Sequence, residues 1–81
     1  MWYVYILLCS DNSLYTGSTD TIERRFLEHQ SGKGAKYTKT HKPVKIVYTE
    51  SFPTRSAALS RESEIKRWNR QKKVVSLNLN F

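Results

Sequence analysis

The sequence predicts an α+β fold, a three-stranded antiparallel sheet flanked by helices in the order β-β-α-β-α-α. Three observations carry that prediction. Residues 3–8 and 14–17 are runs of aromatic, β-branched and aliphatic residues on either side of the turn formers Ser10, Asp11, Asn12 and Ser13. Beyond Gly17 the spacing of apolar residues changes to a helical period. A third strand-like run, residues 44–49, is enclosed between two helical patterns. A chain of 81 residues holds one domain, residues 1–81, with a core so modest that nearly every apolar residue is structural.

The first two runs read as an antiparallel hairpin. Ser18, Thr19, Asp20 and Thr21 each offer an N-cap oxygen ahead of a helix over residues 22–30, and Gly32 follows as a stop signal. Gly17 is expected to be the close-packed turn from strand to helix. Residues 32–40 are basic and glycine-containing and read as a loop or a single helical turn. Pro43 leads into the third strand. Phe52, Pro53 and Thr54 open a helix of about fifteen residues that ends near Trp68 and Asn69. Val74, Val75, Leu77 and Leu79 form a short apolar pattern that adds a third helix.

Fourteen Lys/Arg against seven Asp/Glu give a net charge of +7. A field of that sign favours a polyanionic partner, although ribosome-associated proteins, RNA binders and nucleases all share it. No apolar run approaches the roughly 18 residues of a membrane span. Residues 1–9 lack a basic lead and a small-residue cleavage site, so they read as a strand and not as a signal peptide. The lone Cys9 excludes an internal disulfide and a cysteine-built zinc cluster. At the end of an apolar strand it reads as a buried or edge cysteine rather than a nucleophile. A small domain without disulfides fits a reducing compartment, so the cytoplasm is the expected location.

Several polar residues break the apolar stripes. Ile22, Arg25, Phe26 and His29 share one helix face, which carries Arg25 and His29 toward the sheet with the two apolar members. An inward arginine is costly unless it meets an anion, and a snorkelling Arg25 with a hydrogen-bonded His29 is the bland alternative. In the next helix Glu62 interrupts the stripe of Ala58 and Ile65, and a carboxylate there needs a cation. That cation is either a metal ion or Arg25 in a buried ion pair of purely structural role. Tyr3 and Tyr5 share a strand face, with Tyr15 on the paired strand. A strand tyrosine is commonly a core or edge filler, but tyrosine, arginine, histidine and carboxylate converging on one sheet face would make a site.

These residues, in this order, resemble the GIY-YIG nuclease superfamily. Tyr3-Val4-Tyr5 and Tyr15-Thr16-Gly17 are similar to its two name-giving motifs, with Tyr3 in place of the first glycine and Thr16 in place of isoleucine. Arg25 stands where that family has its arginine, His29 where many members have histidine or tyrosine, and Glu62 where it has a metal-binding glutamate. Neither Asn69 nor Asn78 falls at the spacing of the late asparagine that often completes the family site. The resemblance spans roughly residues 2–70. It is nearest to the small stand-alone UPF0213 type, which shares stretches like residues 34–38 and 62–68.

The resemblance implies a metal-dependent endonuclease that hydrolyses DNA phosphodiester bonds, directed by structure rather than sequence. Glu62 would anchor one Mg²⁺ or Mn²⁺ and Arg25 would clamp the phosphate. Tyr5 would be the general base, its pKa lowered by Arg25 and the metal, with Tyr15 and His29 orienting water and phosphate or sharing in proton transfer. Lys33, Lys36, Lys39 and Lys42 in the basic loop, and Arg67, Arg70, Lys72 and Lys73 near the tail, would grip flanking phosphates. RNA is the other candidate substrate, and the expected assembly is a monomer or weak homodimer. The competing reading is a non-catalytic nucleic-acid-binding module on the same fold. Repair, recombination and defence against foreign DNA are all compatible roles.

Overall fold

The computed structural model describes residues 1–81. The strands are β1 (Trp2–Cys9), β2 (Leu14–Thr19) and β3 (Pro43–Phe52). The helices are α1 (Ile22–Gln30), α2 (Lys36–Thr40), α3 (Arg55–Lys66) and α4 (Arg70–Ser76). β1 lies at the centre of the sheet, antiparallel to β2 on one side and β3 on the other. The hairpin between β1 and β2 is set by Asp11, whose Oδ1 accepts from the Ser13 backbone N–H (3.1 Å) and hydroxyl (2.6 Å). Asn12 supplies the left-handed turn residue at φ 69°.

Alternation along β1 divides the molecule into two layers. Val4 and Ile6 point to one face, where they form the apolar core with Ala58 and Ile65 of α3 and with Leu79. Tyr48, Phe52, Trp68 and Val74 pack around that core. Tyr5 and Leu7 point to the other face, which α1 and α2 cover through His29 and Thr38. No helix is long and apolar enough to cross a membrane.

The predicted elements are present, and the differences have local causes. β2 continues to Thr19 and takes up Ser18 and Thr19, and of the two remaining residues Thr21 stands at the N-cap of α1, without a side-chain hydrogen bond. Residues 36–40 form the single helical turn α2. α3 starts where Thr54 accepts the Ala57 N–H (3.2 Å), but it ends at Lys66 rather than near Asn69. Asn69 instead caps α4, accepting the Lys72 N–H at 2.8 Å, and an N-cap residue is extended and cannot continue the preceding helix. The tail pattern is not one helix face. Val75 is 72% exposed, and Leu79 reaches the core from beyond α4, after Asn78 turns the chain at φ 53°.

A candidate site at the β2 edge of the sheet

The site begins with the pairing of β1 and β2. Tyr5 lies opposite Gly17 in the register, and a Cβ on Gly17 would fall 2.5 Å from the Tyr5 hydroxyl oxygen. Gly17 is therefore not the strand-to-helix turn that the sequence suggested. It stands within β2 and leaves out the side chain that the Tyr5 phenol would otherwise strike. The phenol lies over that gap and donates to Nε2 of His29 at 2.8 Å.

Four residues then form a buried chain. Thr38 spends its proton on the Ala35 carbonyl (2.9 Å), so its hydroxyl oxygen accepts from Nδ1 of His29 at 2.7 Å. That assignment puts the ring proton on Nδ1 and leaves Nε2 bare to receive the Tyr5 proton. The Ala35 N–H also faces Nδ1, but at 3.4 Å it is the weakest contact in the cluster. Tyr5 is 2% exposed and His29 is fully buried. His29 is seated against Gly34, where a Cβ would lie 2.2 Å from Nδ1.

Burial decides the electrostatics. It pushes the Tyr5 phenol well above its ordinary range, and Tyr15 adds to the effect. Arg25 acts in the opposite direction and is outweighed, so the expected lowering of the Tyr5 pKa is reversed in the free protein. Burial, with the Arg25 charge, also holds His29 below its ordinary value and keeps the imidazole neutral. Burial raises the Cys9 thiol as well, in keeping with an unreactive cysteine.

Arg25 and Glu62 form no ion pair with each other. The Arg25 guanidinium donates to Glu28, one turn along α1, at 3.1 Å. Glu62 reaches β2 from the opposite layer, where Oε1 accepts from Ser18 at 2.5 Å and Oε2 pairs with Lys66 at 2.7 Å. Ser18 and Gly17 are successive strand residues and point to opposite faces. The polar groups thus straddle the β2 edge rather than converging on one sheet face, because α3 packs on the Val4–Ile6 side while α1 packs on the Tyr5 side. Glu62 is near enough to Tyr5 to raise its pKa slightly.

Tyr15 joins the two sides. Its ring centroid is 5.1 Å from that of His29, and Lys66 Nζ lies over the Tyr15 ring, 5.9 Å from its centroid. Tyr37 stacks on Tyr15, and His41 stacks on Tyr37. Lys33, Lys36, Lys39 and Lys42 are exposed on and around α2. Arg67, Arg70 and Lys72 are exposed beyond α3, whereas Lys73 is half-buried, its charge disfavoured by burial and by Lys66. Sequence reasoning missed Ser18, Thr38, Gly34 and Lys66. Lys66 carried a signal, four residues beyond Glu62 on the same helix face, and Gly34 and Thr38 lie in the stretch that resembles the UPF0213 type, which gave them no role. The one sizeable cavity, about 500 Å³ and lined by Tyr3, Asp20 and Ile46 among others, shares no residue with this site.

No three His, Cys, Asp or Glu side chains gather as a metal-binding group, so a metal at Glu62 would have that carboxylate as its one charged protein ligand. A carboxylate has about four lone-pair positions, and Ser18 and Lys66 take two. The remaining pair leaves room for a hard divalent ion that would draw its other ligands from water and phosphate, with the Lys66 ammonium at Oε2 as its competitor.

Comparison with known proteins agrees with this fold. A family model described as the GIY-YIG catalytic domain matches residues 1–74. A UPF0213 protein of Haloquadratum walsbyi is 62% identical over 71 residues, covering 88% of this chain and 80% of the relative. A UPF0213 protein of Staphylococcus saprophyticus is 56% identical over 72 residues, covering 89% and 88%. Among solved structures, the solution NMR structure of a protein from E. faecalis has a TM-score of 0.65 at 47% identity, covering 94% of this chain and 81% of that one. That of a UPF0213 protein from Bacillus halodurans has a TM-score of 0.58 at 49% identity, covering 95% and 85%.

Proposed function

The chain belongs to the GIY-YIG catalytic-domain family, alongside the UPF0213 proteins, and on that premise we propose that it is a divalent-metal-dependent endonuclease hydrolysing DNA phosphodiester bonds. The observation that carries the proposal is the buried Tyr5–His29 hydrogen bond, set beside Arg25 and within electrostatic reach of Glu62. The unprotonated Nε2 of the imidazole faces the Tyr5 hydroxyl, its tautomer fixed by Thr38. It can receive the phenol proton once the phosphate offsets the Arg25 charge that, with burial, opposes its protonation in the free protein.

In the hydrolysis a water oxygen bonds to phosphorus as the bond to the leaving sugar oxygen breaks; that oxygen is protonated from solvent, to which His29 afterwards returns the proton it gained. The proton lost by the water passes to Tyr5 as Tyr5 gives its own to His29, so no free phenolate need form at a phenol whose pKa burial has raised. Arg25, released from its half-exposed Glu28 partner, offsets charge on the phosphoryl oxygens with a guanidinium fork. Glu62 would hold the Mg²⁺ or Mn²⁺, whose charge, when bound, stabilises the phosphoryl and leaving oxygens. The exposed lysines of α2 and the basic residues after α3 grip flanking phosphates, contacts that carry no base information, so the substrate is selected by shape.

One observation favours the second reading, a binding module without turnover: Lys66 and Ser18 already occupy both Glu62 oxygens. The test presents single-stranded, duplex, flap and branched DNA, with RNA for comparison, to the protein with Mg²⁺ or Mn²⁺ and with chelator. Arg25→Ala and Glu62→Ala variants are run alongside. Metal-dependent cutting that both substitutions abolish supports the nuclease. Binding by all three proteins with cutting by none leaves the module.

A further inference from the structure

Three rings lead outward from the buried histidine. Tyr15 stands 5.1 Å from His29, Tyr37 lies 5.7 Å from Tyr15 at 26°, and His41 lies 4.1 Å from Tyr37 at 15°. Tyr37 and His41 are four residues apart, one in α2 and the other its C-cap, a spacing that places their rings together. The outermost ring is anchored at its edge, where His41 Nδ1 meets the Asp11 carboxylate, which Ser13 holds in turn. The His41 side chain is 34% exposed. The ladder therefore starts against the proposed reaction site and ends at solvent with its rings already oriented.

We propose that this Tyr15–Tyr37–His41 ladder is a stacking platform for an unpaired nucleobase, so that the ligand of this face is single-stranded DNA adjoining the scissile phosphate. A ring face is worth little to duplex DNA, whose bases are stacked on one another and offer only their edges. An unpaired base has both faces free and stacks on an aromatic ring whatever its identity. The segment bearing the platform also carries the exposed Lys36, Lys39 and Lys42, the charge that a strand laid over it would need. Rings held by Asp11 and by one another lose little freedom on binding. The proposal rests on the nuclease reading and narrows it to substrates with a single-stranded arm, such as flaps.

The test separates base from backbone. Fluorescence anisotropy compares an oligothymidine of about twelve nucleotides with an abasic strand of equal length and charge, the length lying within the usual single-strand site sizes. The wild type is expected to prefer the base-bearing strand roughly 5- to 100-fold. Tyr37→Leu should lose that preference while keeping its affinity for the abasic strand, and Tyr37→Phe should retain it. Should Tyr37→Leu not fold, His41→Ala decides, with a reduced preference expected. Equal binding of the two strands by wild type, binding of neither, or a preference that survives both Tyr37→Leu and His41→Ala overturns the platform. Flap cleavage by wild type is scored separately. Cutting without base preference removes only the platform, and base preference without cutting removes only the nuclease.

Discussion

Gly34→Ala is expected to damage the proposed site through a single methyl group. The added carbon would stand 2.2 Å from Nδ1 of His29 and 2.8 Å from both Cε1 and Cγ, against an ordinary contact of about 3.5–4 Å. The ring must move by about 1 Å or more, yet hydrogen bonds at its two ends, 2.8 Å to Tyr5 and 2.7 Å to Thr38, hold it in a fully buried position. Overpacking costs about 1–3 kcal/mol and each hydrogen bond lost contributes about 1 kcal/mol, so the variant should lose about 3 kcal/mol. Denaturant titration measures the loss, and a double-mutant cycle with His29→Ala assigns it. With the ring removed, Gly34→Ala should cost under about 0.5 kcal/mol. A tolerated Gly34→Ala, or a penalty that persists in the His29→Ala background, would refute the packing argument.

Other consequences follow from the same geometry. His29 has a folded pKa below its ordinary value of 6.5, so below about that pH the unfolded chain takes up the proton that the folded chain refuses. Thermal stability should therefore be fully present above pH 6.5 and fall as pH drops through the folded pKa, and His29→Gln should flatten that dependence. Arg25→Ala should change stability by less than about 1 kcal/mol, since its partner Glu28 is half exposed, while lowering cleavage by roughly 100- to 1000-fold. A large stability loss without a cleavage defect would return Arg25 to a structural role. Lys66→Met removes the cation 2.7 Å from Glu62, so Mn²⁺ affinity measured by calorimetry should rise by roughly threefold to tenfold. Unchanged or weaker Mn²⁺ binding would separate Glu62 from the metal.

Much of this was legible in the sequence because it is periodic. Alternation in residues 3–8 and the helical spacing of Ile22, Arg25, Phe26 and His29 located the sheet, α1 and the inward polar groups. What periodicity cannot express is which layer an element joins. Glu62 was correctly seen as a carboxylate interrupting an apolar stripe, but the stripe packs on Val4 and Ile6, so Glu62 meets Ser18 and Lys66 instead of Arg25. Gly17 was misread because a glycine after a strand motif suggests a turn, whereas its reason is a tyrosine on the neighbouring strand. At Tyr5 the nearby positive charge favours a lowered pKa, but the larger effect is burial, which a local motif does not reveal.

The central claim is that Tyr5 and His29 move a proton while Glu62 and Arg25 manage charge at a phosphate. Single-turnover cleavage of an end-labelled flap DNA in Mn²⁺ tests it most directly, with wild type, Tyr5→Phe and Glu62→Gln compared at saturating protein. The wild type should cut, and each variant should bind the flap as tightly while cutting at least about 100-fold more slowly. Intact DNA with wild type, or undiminished cutting by Tyr5→Phe, would contradict it.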